Sequence, residues 1–170
     1  YREIPYHGNP LDLIQIMEFI KPSAKDDAMA AILLKWIRMG AIDLQQVEEG
    51  SIIKKDVSLL KILKTPDFDI PAEESFFNLL KKAKGNEEFL RDDILSKFFR
   101  KNYILYDNFI KALDRNSESR MKSGGFVVER EDGDHYKYKM DVLTDSGMKL
   151  LDQNIMFKNY LEDYSLLNER

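Results

Sequence analysis

The sequence predicts a mainly helical α+β chain, and three observations carry that prediction. A helix, a glycine stop, a strand, an acidic turn and a second strand follow one another in WIRMGAIDLQQVEEGSIIKK, residues 36–55, and the same order returns in KSGGFVVEREDGDHYKYK, residues 122–139. A proline-bearing stretch, KTPDFDIP at 64–71, lies between the copies, and a long segment with a broad apolar stripe closes the chain. Helices followed by a β-hairpin, twice over, outline two tandem winged-helix-like modules, each with a β-hairpin wing, plus a long C-terminal helix. One α+β domain with two unrelated hairpins is the competing outline.

Each element has a local cause. The opening YREIPYHGNP alternates and then turns at Gly8-Asn9-Pro10, where Asn9 can cap a helix beginning at Pro10 with Leu13, Ile14, Ile16, Met17 and Ile20 on its apolar side. Lys21-Pro22 ends it. Ser23 and Asp26 resemble a capping box, and the helix that follows buries Ala28, Ile32, Leu33, Trp36 and Ile37 before Gly40 stops it. Residues 41–47 read as a strand, Glu48-Glu49-Gly50-Ser51 as a turn, and the chain through Leu63 as one or two further strands. Residues 72–84 form a helix with Phe76, Phe77, Leu79 and Leu80 inward, ended by Gly85-Asn86. A second helix runs from Leu90 to Phe99 and a long third from about Tyr103 to Lys122. In the second hairpin Tyr136, Tyr138, Met140 and Val142 share one face and Lys137, Lys139 and Asp141 the other. Thr144 caps a final helix from Asp145, with Leu150, Leu151, Ile155, Phe157, Leu161 and Tyr164 in its stripe.

Laid side by side, Gly40-Ala41-Ile42-Asp43-Leu44 answers to Gly124-Gly125-Phe126-Val127-Val128, and the acidic turn at 48–51 to Glu131-Asp132-Gly133-Asp134. The resulting division is 1–64 for the first module, 65–71 for a linker, 72–143 for the second module and 144–170 for the C-terminal helix packing back on the modules.

The 170 residues, 44% hydrophobic and 33% charged, suffice for one large domain or two small ones. A net charge of −4 gives no global attraction to nucleic acid or anionic lipid. Without cysteine there is no disulfide framework, thiolate nucleophile or zinc-finger ligand set. No apolar run reaches the roughly 18 residues that cross a bilayer. The chain opens on Tyr1 rather than a methionine and is read as a soluble piece of a longer protein.

Both ends carry a further signal. YREIPY, the proline-initiated helix, AMAAILLKWIRMGAI and above all YLEDYSLLNER at 160–170 resemble the cytoplasmic part of bacterial predicted membrane proteins in the domain-of-unknown-function family two-two-zero-seven. That resemblance covers both ends and the first module, and the middle by pattern alone. It implies a soluble fragment on the cytoplasmic side of the cell membrane, reaching the bilayer only through flanking segments outside this chain. It brings no activity or cofactor.

Chemistry in the residues is sparse. A winged helix first brings DNA to mind, yet Asp26 and Asp27 sit at the start of the first candidate reading helix, and the wing turns carry Glu48, Glu49, Glu131, Asp132 and Asp134. Carboxylates repel the phosphates that supply most duplex affinity. The counterweight is the long helix of the second module, where Lys111, Arg115, Arg120 and Lys122 are candidate nucleic-acid contacts. His7 and His135 lack spaced partners, no G-x-S-x-G elbow or phosphate loop is present, and EREDGDH lacks the spaced ligands of a calcium loop. The expectation is therefore no enzyme, no catalytic residue, no cofactor and no metal. A non-catalytic protein-interaction or regulatory module follows, with Tyr136, Tyr138, Tyr160 and Tyr164 as candidate protein contacts because tyrosine is enriched at interfaces. The partner is unknown, nucleic acid is disfavoured and a homo-oligomer is allowed; a membrane-tethered winged-helix DNA-binding regulator is the alternative.

Overall fold

The computed structural model describes residues 4–22, 24–51, 54–132 and 138–168; for 26, 132, 138, 160 and 162–168 it describes the backbone alone. Asn9 Oδ1 accepts from the Leu11 N–H at 2.9 Å, and the preset φ of Pro10 starts one turn of 3-10 helix, Pro10–Leu13, that runs into α1, Ile14–Glu18. Then come α2 (Asp26–Arg38), β1 (Ile42–Glu49), β2 (Lys55–Ile62), α3 (Pro71–Lys84), β3 (Leu90–Arg91), α4 (Asp92–Lys101), α5 (Tyr103–Ser123), β4 (Val127–Asp132), β5 (Tyr138–Leu143) and α6 (Asp145–Asn168). The fold is mixed α+β and mainly helical. Ser23, expected to open a capping box, lies outside the described residues.

Both hairpins start from the same backbone device. Gly40 has φ +65°, its N–H reaches the Ile37 carbonyl at 2.9 Å, and the Ala41 N–H reaches that of Trp36 at 2.9 Å. Gly125 has φ +73°, with its N–H on the Lys122 carbonyl at 3.1 Å and the Phe126 N–H on that of Met121 at 2.9 Å. These are paired 5→2 and 6→1 bonds around a left-handed residue, which glycine adopts without strain. The equivalence of the copies is therefore Gly40 with Gly125, one residue beyond the match of Gly40 to Gly124 that composition favours. Only the second of two adjacent glycines takes positive φ.

β1 pairs antiparallel with β2 from Ile42↔Ile62 to Glu49↔Lys55, and β4 with β5 from Val127↔Leu143 to Asp132↔Tyr138. β3 adds two residues to the first hairpin at Leu59↔Arg91 and Leu60↔Leu90, giving the order β1-β2-β3. The helix expected from Leu90 thus begins two residues later, because Leu90, 2% exposed, completes a strand edge first.

The chain divides into two compact units, Lys25–Leu113 and Tyr1–Ala24 with Asp114–Arg170. In the first, the Trp36 ring stacks on Phe76 at 5.7 Å and meets Phe77 edge-on at 5.5 Å, while Phe76 stacks on Phe109 at 5.0 Å. Ile32, Val57, Leu60 and Leu80 are buried in the same unit. The stretch 65–71, expected to be a linker, belongs to this core: Pro66 and Ile70 are buried, and Phe68 lies 6.1 Å from Trp36 and 5.7 Å from Phe77. Its turn residues are real, but its apolar residues are drawn inward because exposing them would cost burial energy. The units accordingly do not part at 65–71, and neither coincides with 1–64 or 72–143.

In the other unit Ile16, Met121, Val127, Leu150 and Leu151 form the core, with Tyr6, Leu13, Met17, Phe126, Leu143 and Ile155 against it. Thr144 Oγ1 accepts from the Gly147 N–H at 3.0 Å and caps α6. At Gly147 a Cβ would stand 2.0 Å from the Phe126 carbonyl oxygen, whereas one at Gly40 would meet nothing within 4 Å. Gly147→Ala should therefore cost about 2–3 kcal/mol by forcing backbone apart, against about 1 kcal/mol for the purely conformational Gly40→Ala, read from urea midpoints at unchanged slope.

Candidate functional site

The densest polar chemistry in the unit formed by 1–24 and 114–170 gathers at Asp12, 4% exposed, and Ser117, 0% exposed. Tyr6 Oη donates to Asp12 Oδ2 at 3.0 Å and Asn116 Nδ2 to Asp12 Oδ1 at 3.0 Å. Ser117 Oγ donates to the Asp12 carbonyl at 2.5 Å and accepts from the Gln15 N–H at 2.8 Å. Gln15 Nε2 continues to Asp141 Oδ2 at 2.6 Å, and Lys122 bridges Asp141 at 2.9 Å and Glu118 at 2.5 Å. Burial raises the Tyr6 hydroxyl above its ordinary value, with the hydrogen bond and charge of Asp12 acting the same way; Arg120 opposes them. Glu118 and then Asp141 hold the Lys122 ammonium well above the usual lysine range.

Nucleophilic catalysis needs a base on the hydroxyl and an approach for substrate. Ser117 has neither, since its proton goes to a backbone carbonyl and its lone pair to a backbone N–H. This network is a staple that fixes the first turn of the chain to α5.

In the 25–113 unit the buried carboxylate is Glu73, 0% exposed in the first turn of α3. Lys35 Nζ from α2 meets its two oxygens at 2.9 and 2.8 Å and Asp69 at 2.5 Å, and the Asp69 N–H adds a bond to Glu73 at 3.3 Å. Burial is the largest influence on Lys35 and lowers its pKa; Asp69 and Glu73 together outweigh it, so the net shift is upward. Arg91 forms a bidentate pair with Glu49 at 2.6 and 3.0 Å and a bond to Asp93 at 3.1 Å. The Arg91 hydrogen bond holds both carboxyls below their usual range. Glu48 pairs with Lys54 at 2.8 Å, so the first hairpin's acidic end is neutralised at close range.

The long-range pairs were not legible from spacing, because Lys35 lies 34 and 38 residues from Asp69 and Glu73, Arg91 lies 42 from Glu49, and Gln15 lies 126 from Asp141. Lys122 with Glu118 is an i,i+4 helical pair and Glu48 with Lys54 is local, so these two are within reach of a spacing rule. At Lys35 the signal was a cation among apolar helix residues.

The nominated contacts are placed as follows. Tyr136 lies outside the described residues, as does His135. Tyr138 stands in β5 and Tyr160 and Tyr164 in α6, their side chains outside the description. On the second hairpin Val128 (37%) and Met140 (44%) are exposed. Of the candidate cations on α5, Lys122 is held by two carboxylates, Lys111 pairs with Asp107 at 2.6 Å, and Arg115 and Arg120 are exposed. By helical period 111, 115, 118 and 122 fall in one stripe, and Glu118 interrupts it. His7 is exposed, and among the described residues no group of acidic or imidazole side chains could hold a metal.

An apolar groove of about 430 Å³ runs between the first turn with α1 and α6, lined by Pro10, Leu13, Met17, Phe157 and Leu161, with Asn154 and Lys158 also facing it. Among the described residues no helix is long and apolar enough to cross a membrane. Comparison with family models, with curated proteins and with solved structures finds no match.

Two outcomes follow. Lys35→Met leaves the Glu73 carboxylate buried without its cation and should cost about 3 kcal/mol, clearly more than Asp69→Asn at the exposed end of the same cluster, by denaturant titration. Arg91→Gln removes the main cause of the Glu49 shift, so an NMR titration should show that carboxyl moving up towards its ordinary 4.5. The sign is that of a depressed acid: the stabilisation is present above pH 4.5 and is lost as pH falls through the lowered folded value.

Proposed function

We propose that this chain is a non-catalytic protein-interaction or regulatory module, and that its tandem winged-helix-like elements serve contact rather than chemistry. One observation carries the reading: α6 leaves apolar side chains open beside those it packs. Leu150 and Leu151 are buried, while Met148 (50%), Met156 (47%) and Leu161 (49%) stay open, the last of them in the groove shared with Leu13 and Met17. By helical period Leu161 continues the face of the buried Leu150, so that face runs from packed core into an open apolar groove, a surface suited to being covered. Tyr160 and Tyr164 occupy the same helix. The end motifs support placing this module on the cytoplasmic side of a bacterial membrane protein, and that placement rests on those motifs alone.

The connection order gives the DNA-binding alternative its footing. A helix, α5, leads into the second hairpin, and Arg115 and Arg120 are exposed on it, although β3 pairs with β2 rather than with that hairpin. Against it stand the carboxylates around Lys122 and the Glu118 break in the cationic stripe.

A titration of a fluorescent duplex at low salt decides between them: the proposal expects no saturable binding, and tight binding that weakens steeply with salt replaces it by the alternative. The open side of α6 has its own check. Met156→Glu should shift stability by less than about 0.5 kcal/mol, as a solvent-facing site does, whereas a loss above about 1.5 kcal/mol would make that side core.

A further inference from the structure

The corner between α4 and α5 gathers open apolar side chains beside cations. Residues 98–105, Phe-Phe-Arg-Lys-Asn-Tyr-Ile-Leu, hold no acidic side chain in a chain of net charge −4. α4 is strongly amphipathic, yet none of its residues is buried, and Ile94 is 40% exposed. In the first turn of α5, Tyr103 is 66% exposed, Ile104 67% and Leu105 37%. Three consecutive apolar or aromatic side chains left open differ from the scattered exposed residues that every surface carries.

The corner is held by one residue. The Asn102 N–H and its Nδ2 both donate to the Phe98 carbonyl at 2.9 Å, closing α4. Its own carbonyl accepts from Leu105 at 2.9 Å and Tyr106 at 3.3 Å, opening α5. Phe99 lies 5.1 Å from Tyr106 and props the bend from within. Tyr103 and Ile104 are therefore presented by backbone already ordered, so little ordering entropy opposes their transfer to another phase.

The cations beside them are free to act. Among the described residues neither Arg100 nor Lys101 has a carboxylate within ion-pair distance, and Arg100 makes only a long bond to the Ser96 carbonyl at 3.4 Å. Lys97 reaches Asp93 at 3.3 Å, an exposed helical pair of little strength. Apolar side chains at a protruding tip, a tyrosine among them and unpaired cations one turn behind, match the cross-section of a bilayer interface. The pocket beside Leu105 is mixed, with Ser75, Asn78, Lys82 and Asn108 set among Leu79 and Phe109.

We propose that the α4–α5 corner is a peripheral membrane-docking tip, laying Tyr103 and Ile104 into the interfacial layer of an anionic bilayer with Arg100 and Lys101 against the lipid phosphates. This is independent of the protein-contact reading of α6. Binding of this kind is weak and salt-sensitive, since the apolar insertion is small and cations near an anionic surface supply the rest.

Co-sedimentation of the whole chain with vesicles tests it. The chain should pellet with vesicles of equal phosphatidylglycerol and phosphatidylcholine at low salt and stay in solution with phosphatidylcholine alone. Tyr103→Ser with Ile104→Ser should weaken the anionic partition about tenfold, and Arg100→Gln or Lys101→Gln about fivefold each. Leu34→Ser, at a residue as exposed as Ile104 (65% against 67%) but on α2, should leave it unchanged. All these side chains face solvent, and an unchanged thermal midpoint verifies each fold. Absence of binding to the anionic vesicles at low salt overturns the proposal, as does binding that the corner variants retain or that Leu34→Ser abolishes equally.

Discussion

The helix-to-strand turn made by Gly40, and again by Gly125, is the constraint from which the rest of the structure follows. Its paired bonds close a helix and, in the next residue, set where a hairpin begins. The Ala41 carbonyl accepts from Leu63 and Lys64, and the Phe126 carbonyl from Thr144. The first rung of each ladder is thereby fixed, and with it the face on which every later side chain falls, since a slip of one residue would turn the whole strand over. That is why Ala41, Ile42 and Val127 are buried within 2% of full closure. The same carbonyl of Phe126 stands against Gly147, so in the second copy the turn also sets how closely α6 approaches.

How much of this was legible follows from how local each cause is. The glycine stops, the Asn9 and Thr144 caps and the two hairpins are written in residues a few positions apart, where propensity and backbone hydrogen bonding act directly. The one-residue error in matching the copies has the same origin, because Gly124 and Gly125 are alike in composition and only the dihedral distinguishes them. The stretch 65–71 was misjudged for another reason. Its prolines and aspartates state that the backbone turns, and they say nothing of whether Phe68 then finds Trp36. Such pairings belong to tertiary structure. So do Lys35 with Glu73 and Asp12 with Ser117, whose partners no spacing rule links.

Ion pairing alters what the surface charges can do. The acidic turns speak against DNA as free carboxylates, but Glu48 and Glu49 are not free, being held by Lys54 and Arg91. The same pairing that softens the acidic end of the first hairpin also withdraws cations from any phosphate, most plainly at Lys122 between Glu118 and Asp141. At these places both signs are paired within the chain. Elsewhere the described surface keeps open apolar residues, and Arg100 and Lys101 lie beside one such group with no carboxylate at ion-pair distance among the described residues.

Those leftovers are not evenly spread. The open side of α6 lies in the unit formed by 1–24 and 114–170, and the α4–α5 corner in the unit 25–113. Each unit has its own aromatic or aliphatic core and its own buried carboxylate network, so neither surface borrows its support from the residues that hold the other. Sites without shared partners contribute nearly additively. A change at Met156 and one at Ile104 should consequently act as separate losses, and the chain can present two surfaces of different chemistry while the interior of each unit stays untouched.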